Sequence, residues 1–257
     1  STTVGSVGEE GSSDGGTITL GSATLTIGGS ASTLQGGISG TGGITHSGSG
    51  SLGLYGSQSY TGTTTVSDGT LSSSVAMSSA AYSLTGGTFE TTANNVMSDT
   101  AAVTLNGGTL KIGGTETIGN NGVTLSSAST TEVTTGNALT VGGVITGSGR
   151  LTKSGNGTLI LSGANDYSGG TVVSAGTLQG TASTIQGALT NNATVNFNQA
   201  SDGTYSGGMV GTGKLVKSGS GVLTVSGANS HSGNTDINAG TISVAAGASL
   251  GSTNLYI

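Results

Sequence analysis

Short bursts of alternating apolar and polar residues run along the whole chain. Typical bursts are Leu25-Thr26-Ile27, Leu110-Lys111-Ile112, Leu159-Ile160-Leu161 and Leu223-Thr224-Val225. A period of two, with many β-branched residues, predicts short β-strands that each bury one face. Gly-Gly, Ser-Gly, Asn-Gly and Asp-Gly pairs separate the bursts and predict tight turns. No segment carries the 3.6-residue apolar periodicity of a helix, so the pattern predicts an all-β fold.

Three segments of the chain repeat one another without a gap. They span residues 38–71, 145–178 and 209–242, and are called copies 1, 2 and 3. Each copy begins with a Gly-Ser/Thr-Gly triplet, continues through Ser-Gly-x-Gly and an apolar pair, and closes on Gly-Thr-apolar. A ring stands at one position of each copy, namely Tyr60, Tyr167 and His231. Repetition at this scale is typical of solenoid proteins.

The spacing of the copies predicts a coil. Their starts lie 107 and 64 residues apart, and both offsets are near whole multiples of about 21.4 residues. We therefore predict a right-handed parallel β-helix (β-solenoid) of about 21 residues per coil, with the copies at the same angular position. Strands that stack about 4.8 Å apart would make roughly twelve coils into a rod about 55–60 Å long. A β-sandwich is the alternative fold, but its strands would be longer.

The composition fits one continuous β-structure. The chain has 52 Gly and no Pro, Cys or Trp, and only 6% of its residues are charged, against about 25% in ordinary globular proteins. Interior strands donate hydrogen bonds on both sides, which excludes Pro, while repeated bends favour Gly. No change of composition divides the chain, so we predict a single domain over 1–257.

Charge and length exclude several classes of partner. The net charge is −6, and the cationic residues are Lys111, Arg150, Lys153, Lys214 and Lys217. They cannot form the basic face that nucleic acid or an anionic membrane surface requires. No apolar run approaches about 18 residues, so no transmembrane helix and no direct membrane insertion are predicted. Ser1 does not begin a signal peptide, which we expect to have been removed or to lie outside this sequence. The lack of Cys excludes a disulfide scaffold, but it does not exclude secretion.

Motif matches in the chain give no catalytic or cofactor-binding residue. Residues 11–15 and 247–251 match G-x-S-x-G, which needs a strand-to-helix elbow and a nearby His. Residues 48–53 match G-x-G-x-x-G, but no helix follows that could hold a phosphate. In a chain so rich in Gly and Ser, both patterns are better interpreted as turns.

The ionisable and amide residues also predict no metal or enzyme site. His46 replaces the Lys of copies 2 and 3, and His231 replaces the Tyr of copies 1 and 2, so both are predicted to fill surface or stacking positions. His, Asp and Glu do not cluster at metal-ligand spacing. Asp68 and Asp202 lie in Ser-Asp-Gly-Thr turns, where an Asp bonds its own backbone. Asn165 and Asn229 are expected to bond within their turns.

A hydrolase on this fold would need two carboxyl groups about 5–9.5 Å apart. No such pair is spaced by one coil, and Glu116 and Glu132 are out of register. A β-helical carbohydrate-active enzyme is therefore only the second alternative function.

The most regular phrase, G-T-L-x-L-S-G-A-N-x-Y-S-G-G-T-x-V-x-x-G-T-L around residues 158–178, resembles the passenger-associated repeat of bacterial autotransporters, also called the autotransporter-associated β-strand repeat. Residues 51–71 and 222–242 resemble it more loosely. The resemblance implies a secreted β-helical passenger at the surface of a Gram-negative cell. Such passengers cross the outer membrane unfolded and fold coil by coil.

The resemblance favours a non-enzymatic surface scaffold or adhesin. It would act by self-association or by binding a glycan or a host surface. The family's C-terminal membrane barrel of about twelve strands is not in this sequence, which stops at Asn254-Leu255-Tyr256-Ile257 in a coil that looks cut short. We therefore expect a piece of a longer protein. An open coil end exposes strand edges, so the first alternative is a filament or outer-layer subunit that stacks head to tail.

Overall fold

The computed structural model describes residues 2–4, 15–251 and 254–257. These residues form short β-strands and no helix. The strands are β1 (Thr2–Val4), β2 (Ile18–Thr19), β3 (Leu25–Ile27), β4 (Ala31–Leu34), β5 (Ile38–Ser39), β6 (Ile44–His46), β7 (Ser51–Leu54), β8 (Thr64–Val66), β9 (Thr70–Ser73), β10 (Ala81–Leu84), β11 (Thr88–Thr91), β12 (Ala102–Leu105), β13 (Thr109–Ile112), β14 (Glu116–Ile118), β15 (Val123–Leu125), β16 (Ser129–Val133), β17 (Ala138–Val141), β18 (Ile145–Thr146), β19 (Leu151–Ser154), β20 (Thr158–Leu161), β21 (Thr171–Val173), β22 (Thr177–Gly180), β23 (Leu189–Asn191), β24 (Thr194–Asn198), β25 (Gly203–Tyr205), β26 (Met209–Val210), β27 (Lys214–Ser218), β28 (Val222–Val225), β29 (Thr235–Ile237), β30 (Thr241–Val244) and β31 (Leu255–Tyr256).

The chain winds as a parallel β-solenoid of about 12 turns, with about 20 residues per turn. This confirms the predicted fold class, with a turn slightly shorter than the 21 residues expected. Each strand pairs in parallel with the strands of the neighbouring turns. Three large sheets result: face 1 is β1-β3-β6-β8-β10-β12-β15-β18, face 2 is β4-β7-β9-β11-β13-β16-β19-β21-β23-β26, and face 3 is β14-β17-β20-β22-β24-β27-β29-β31.

Two shorter sheets extend these faces. In the pair β2-β5, β5 lies between a face 2 strand and a face 1 strand along the chain, which is the place that face 3 strands take in later turns. The sheet β25-β28-β30 follows face 3 strands and so continues face 1. The two short sheets therefore continue faces 3 and 1, although not every face carries a strand in every turn.

Most strands of the middle turns turn alternate residues inward, and register stacks these residues in columns. On face 3, for example, Leu139, Leu159 and Leu178 lie one above the other and are at most 1% exposed. Burying a Leu side chain contributes about 1.5–3 kcal/mol, so such columns hold neighbouring turns together. The strands of face 2 add an inward column of Leu52, Leu71, Phe89 and Leu110.

The three copies do not share one angular position, and this expectation was wrong. Copy 1 begins on β5, in the face 3 position, copy 2 begins on β18 of face 1, and copy 3 begins on β26 of face 2. A turn averages about 20 residues rather than 21.4. The offsets of 107 and 64 residues between the starts of the copies therefore correspond to five and three turns plus the few residues of one further face. Successive copies are thus rotated by one face, which is possible because each face is built from the same short strand and bend.

A copy also stacks on itself. In copy 2, Leu151 of β19 pairs with Thr171 of β21, and Leu159 of β20 pairs with Leu178 of β22. Residues about 20 positions apart within one copy are therefore neighbours in space. This explains why the repeated phrase is longer than one turn.

The glycine triplet that opens each copy has two separate requirements. Its first residues, Gly40, Gly147 and Gly211, have φ angles of 113°, 102° and 107°, a region that disfavours any Cβ. The last residue of the triplet faces a different constraint, since a Cβ on Gly149 would lie 2.2 Å from the Ser127 carbonyl oxygen of the turn below. The triplet lets the chain bend while the turns remain in contact.

We predict that Gly149→Ala lowers the free energy of unfolding by about 1–3 kcal/mol, because the added methyl overpacks against backbone that cannot move aside. The control is Gly142→Ala, where the nearest atom to the new Cβ is the Ile118 carbonyl oxygen at 3.6 Å and φ is not positive. That variant should equal or exceed wild type, by up to about 1 kcal/mol. Urea unfolding followed by circular dichroism measures both, and equal stability of the two variants would contradict the close approach.

Candidate functional site

The outer surface of face 1 is an uncharged column of hydroxyl groups. Parallel register stacks one outward residue from each of seven successive strands, namely Thr26, Thr45, Thr65, Ser83, Thr104, Thr124 and Thr146. A second column lies two residues further along, and the backbone amides of its members donate to carbonyls of the turn below: Ser47, Ser67, Thr85, Asn106 and Ser126. Hydroxyls tolerate stacking where like charges would repel. The face 1 columns, as these two are called below, form a flat polar strip along the solenoid axis.

Face 2 carries a similar threonine column beside a charged one. Glu90, Lys111 and Glu132 lie on successive strands in register. The Lys111 ammonium lies 3.0 Å from a Glu90 carboxylate oxygen, and this hydrogen bond raises the pKa of Lys111. Opposite charges in neighbouring turns are favourable, so face 2 differs from face 1 in charge but not in geometry.

The lysines of copies 2 and 3 are inside the solenoid. Lys153 follows Leu151 by two residues and therefore points inward, with 0% of its surface exposed. Its ammonium donates to the carbonyls of Ser154 and Gly155 at 2.7 Å and of Ala175, in the next turn, at 3.2 Å. Burial lowers the pKa of Lys153 to about 8, opposed by Glu132. Lys217 makes the same three contacts in copy 3.

His46 occupies the lysine position of copy 1 and is 1% exposed. Its Nε2 lies 3.1 Å from the Gly50 carbonyl oxygen. The expectation that His46 lies on the surface was therefore wrong, because strand alternation places this position inward whichever residue occupies it. In all three copies, a nitrogen-bearing side chain bonds the carbonyls of the bend that follows.

The ring of each copy is buried against a threonine four residues later. Tyr60 and Tyr167 place their hydroxyls 2.6 Å from the hydroxyls of Thr64 and Thr171. In copy 3, His231 Nε2 lies 3.3 Å from the Thr235 hydroxyl, so this histidine fills a stacking position as predicted. Burial raises the pKa of both tyrosines and lowers that of His231, so the three rings are neutral near pH 7.

Buried asparagines bridge neighbouring turns. Asn165 accepts from the Ile145 amide at 2.7 Å, one turn earlier, and donates to the Thr184 carbonyl at 2.6 Å, one turn later. Asn229 likewise accepts from the Met209 amide and donates to the Ser249 carbonyl, both at 2.8 Å. Bonds within one turn were expected, yet the main role is between turns. The side-chain amide of each asparagine thus supplies hydrogen bonds between turns at a place where no strand provides backbone ones.

The two glutamates that sequence spacing singled out, Glu116 and Glu132, lie on different faces. Glu116 is 1% exposed inside face 3, where it accepts from the Val96 amide at 2.7 Å and burial raises its pKa. Glu132 lies on the outside of face 2, so the two are not a catalytic pair. Asp68 accepts from the Gly69 amide, which confirms its turn.

Two further aspartates bond to other turns. Asp202 accepts from the Val222 amide at 2.8 Å, twenty residues away, so the expected bond to its own turn is not the one formed. Asp236 pairs with Lys214 on the outside of face 3. Both aspartates thus stabilise contacts between turns.

The motif matches fall in turns wherever the structure describes them. Residues 48–50 form a bend and residues 51–53 belong to β7, with no helix. Gly247 and Gly251 have φ angles of 78° and 70°, and the Ser249 hydroxyl bonds the Asn229 backbone. Of the 11–15 match, all but Gly15 lie outside the described residues. Over residues 2–4, 15–251 and 254–257, no three His, Cys, Asp or Glu side chains come close enough to hold a metal ion.

We predict that the tyrosine and threonine of copy 2 are energetically coupled. Tyr167→Phe and Thr171→Val should each lower the free energy of unfolding by about 1–2 kcal/mol, because each leaves a buried hydroxyl with one partner fewer. The double variant should lose less than the sum, by about 0.5–1.5 kcal/mol. Thr152→Val, on the outside of the neighbouring strand, is the control and should change stability by less than about 0.5 kcal/mol. Strict additivity would show that the short contact contributes nothing.

Comparisons with known proteins identify the repeat. The sequence model of one family, described as the passenger-associated-transport-repeat, matches residues 44–72, 151–179 and 215–244, about a third of the chain. These matches overlap the three copies, end one or two residues beyond them, and span their buried lysine or histidine and ring positions. Neither a curated protein nor a solved structure matches the chain. No helix in the described residues is long and apolar enough to cross a membrane. The three repeats and the β-solenoid support an autotransporter passenger domain with passenger-associated transport repeats.

Proposed function

We propose that this chain is a non-enzymatic scaffold or adhesin displayed on the bacterial cell surface, and that it acts by self-association or surface binding through face 1. The family implies secretion to the cell surface. The observation that carries the proposal is the pair of uncharged face 1 columns, in which seven strands present hydroxyls at one regular spacing.

A flat hydroxyl surface suits repeated weak contacts. Each hydroxyl can both donate and accept a hydrogen bond, so two such surfaces can bond without matched charges. A single bond contributes only about 0.5–1.5 kcal/mol, but a regular column multiplies it along the axis. The strand spacing of about 4.8 Å repeats on every copy of the chain, which keeps two apposed columns in register.

The interior chemistry also favours a structural role. The buried lysines, tyrosines and asparagines of the copies bond to backbone or to each other, and Lys153, Tyr167 and Asn165 are at most 4% exposed. Such groups cannot touch a substrate. Glu116 lies inside face 3 and Glu132 outside face 2, so these two do not form the pair that glycoside hydrolysis needs.

We predict that three charges on face 1 abolish cell–cell or cell–surface attachment without unfolding the solenoid. The test variant combines Thr65→Lys, Thr104→Lys and Thr124→Lys, and the chain is displayed through an outer-membrane translocator domain on cells that lack other adhesins. Attachment and sedimentation should fall at least tenfold, because like charges would then face each other across the contact.

The matched control places three lysines on the threonine column of face 2, at Thr70, Thr109 and Thr152. Surface amount and protease resistance should equal wild type for both variants. Since wild-type contacts are uncharged, attachment should change little between low and high salt. The proposal is wrong if the face 1 variant attaches as well as wild type, or if the face 2 variant loses attachment equally.

A further inference from the structure

We propose that a groove at the corner of faces 3 and 1 binds a neutral oligosaccharide. The groove has a volume of about 390 Å³, and its outer lining includes Ile160, Ser162, Gln179, Thr181, Ser183 and Asn198. It is called the corner groove below. The inference names a partner for the surface-binding role proposed above and rests on that role for its place on the cell.

The corner groove exists because face 1 is interrupted. Between β18 and β25, described residues 147–202 add no strand to this face. Instead, the chain forms a tight turn in which the Thr184 and Ile185 amides donate to the Thr181 carbonyl at 3.1 and 3.0 Å. This turn stands beside the ends of β20, β22 and β24 as one wall of the groove. A solenoid side that is flat elsewhere becomes concave here.

The wall is braced from inside. Asn165 donates to the Thr184 carbonyl at 2.6 Å, and Gln199 accepts from the Ala182 amide at 2.9 Å. Both side chains are about 95% buried. Gly180 lies beneath, where a Cβ would come within 2.5 Å of the Thr184 hydroxyl oxygen. The turn therefore packs closely over Gly180, and the two buried amides hold this wall of the groove in place.

A relay of polar side chains orients the amide on the floor. The Ser218 hydroxyl donates to Asn196 Oδ1 at 2.8 Å, and Asn196 Nδ2 donates to Gln179 Oε1 at 3.3 Å. These side chains belong to three successive turns of face 3. The relay occupies the Gln179 carbonyl oxygen, while its Nε2 has no hydrogen-bond partner among the described residues. Gln179 thus presents two fixed donors to the groove.

The remaining lining complements a sugar. The Asn198 amide and the Ser162 hydroxyl make no side-chain hydrogen bond within the described part of the chain, and both are exposed. Amides supply a donor and an acceptor side by side, as vicinal sugar hydroxyls require. Ile160 offers an apolar surface for the C–H face of a ring. The turn spacing of about 4.8 Å is similar to the length of one pyranose ring.

Charge decides the class of saccharide. No residue that lines the corner groove is charged. A uronic acid or sulfated sugar would bury its charge without a cationic partner, which is unfavourable. A neutral hexose or N-acetylhexosamine chain has no charge that needs a cationic partner, so the groove favours neutral ligands.

The test is a titration of ¹⁵N-labelled protein with cellohexaose, chitohexaose and maltohexaose, followed by the side-chain amide signals of Gln179 and Asn198 in NMR spectra. At least one neutral chain should cause saturable shifts at millimolar concentration, and a hexagalacturonate should not. Gln179→Ala and Asn198→Ala should each weaken binding about tenfold, as expected for a lost hydrogen bond. Ser162→Phe, which fills the groove from an exposed position, should abolish it.

Gln35→Ala and Asn238→Ala are the matched controls, since both remove exposed amides far along the chain, and they should bind as wild type does. The inference is overturned if none of the three neutral chains binds, if Ser162→Phe still binds, or if hexagalacturonate binds equally well. The result is separable from the proposed function. If displayed cells attach through face 1 but the purified protein binds none of the three sugars, only the proposal for the corner groove is wrong. If the protein binds a sugar but the face 1 variant attaches as well as wild type, only the proposed role of face 1 is wrong.

Discussion

Register between turns is the constraint on which the rest of the structure depends. Each backbone amide and carbonyl of a strand pairs with the turn above or below, about 20 residues away. A residue therefore has the same neighbours as the residue one turn along, and like stacks on like. Leucine columns form inside and threonine columns outside, and a shift by one residue would exchange the two. Low charge follows from the same rule, because a column of equal charges would repel itself at about 4.8 Å.

The polar interior supplies hydrogen bonds where this register cannot. A bend leaves carbonyls without a strand partner, and unpaired buried groups are costly. The ammonium groups of Lys153 and Lys217 bond three carbonyls each. Asn165 and Glu116 take over amide contacts between turns at places without a strand. The repeat is thus a self-stacking unit that carries its own means of closing bends.

Much of this could be predicted from the sequence, and the failures have physical reasons. The alternation of apolar and hydroxyl residues predicted the strands, and the three copies predicted a solenoid. The prediction that the copies share one angular position was wrong. Offsets of 107 and 64 residues fit five and three turns of 21.4 residues, but they fit five and three turns of about 20 residues plus one further face almost as well. The residue type of His46 suggests a surface position, but strand alternation predicts burial, since its counterpart Lys153 follows the inward Leu151 by two residues. The corner groove depends on an interruption of face 1 that no local motif marks.

The solenoid carries two different surfaces, a regular hydroxyl strip on face 1 and a single concave site at a corner. Both depend on the same register, and the absence of Cys from the chain allows it to be measured directly by cross-linking. Cysteines at positions 124 and 146 of face 1 lie in paired strands and should form a disulfide readily under mild oxidation, since paired residues fall within the reach of an S–S bond. A disulfide between 124 and 146, with none between 124 and the inward position 145, is the predicted result. Cross-linking of 124 to 145 in its place would contradict the register and the solenoid built on it.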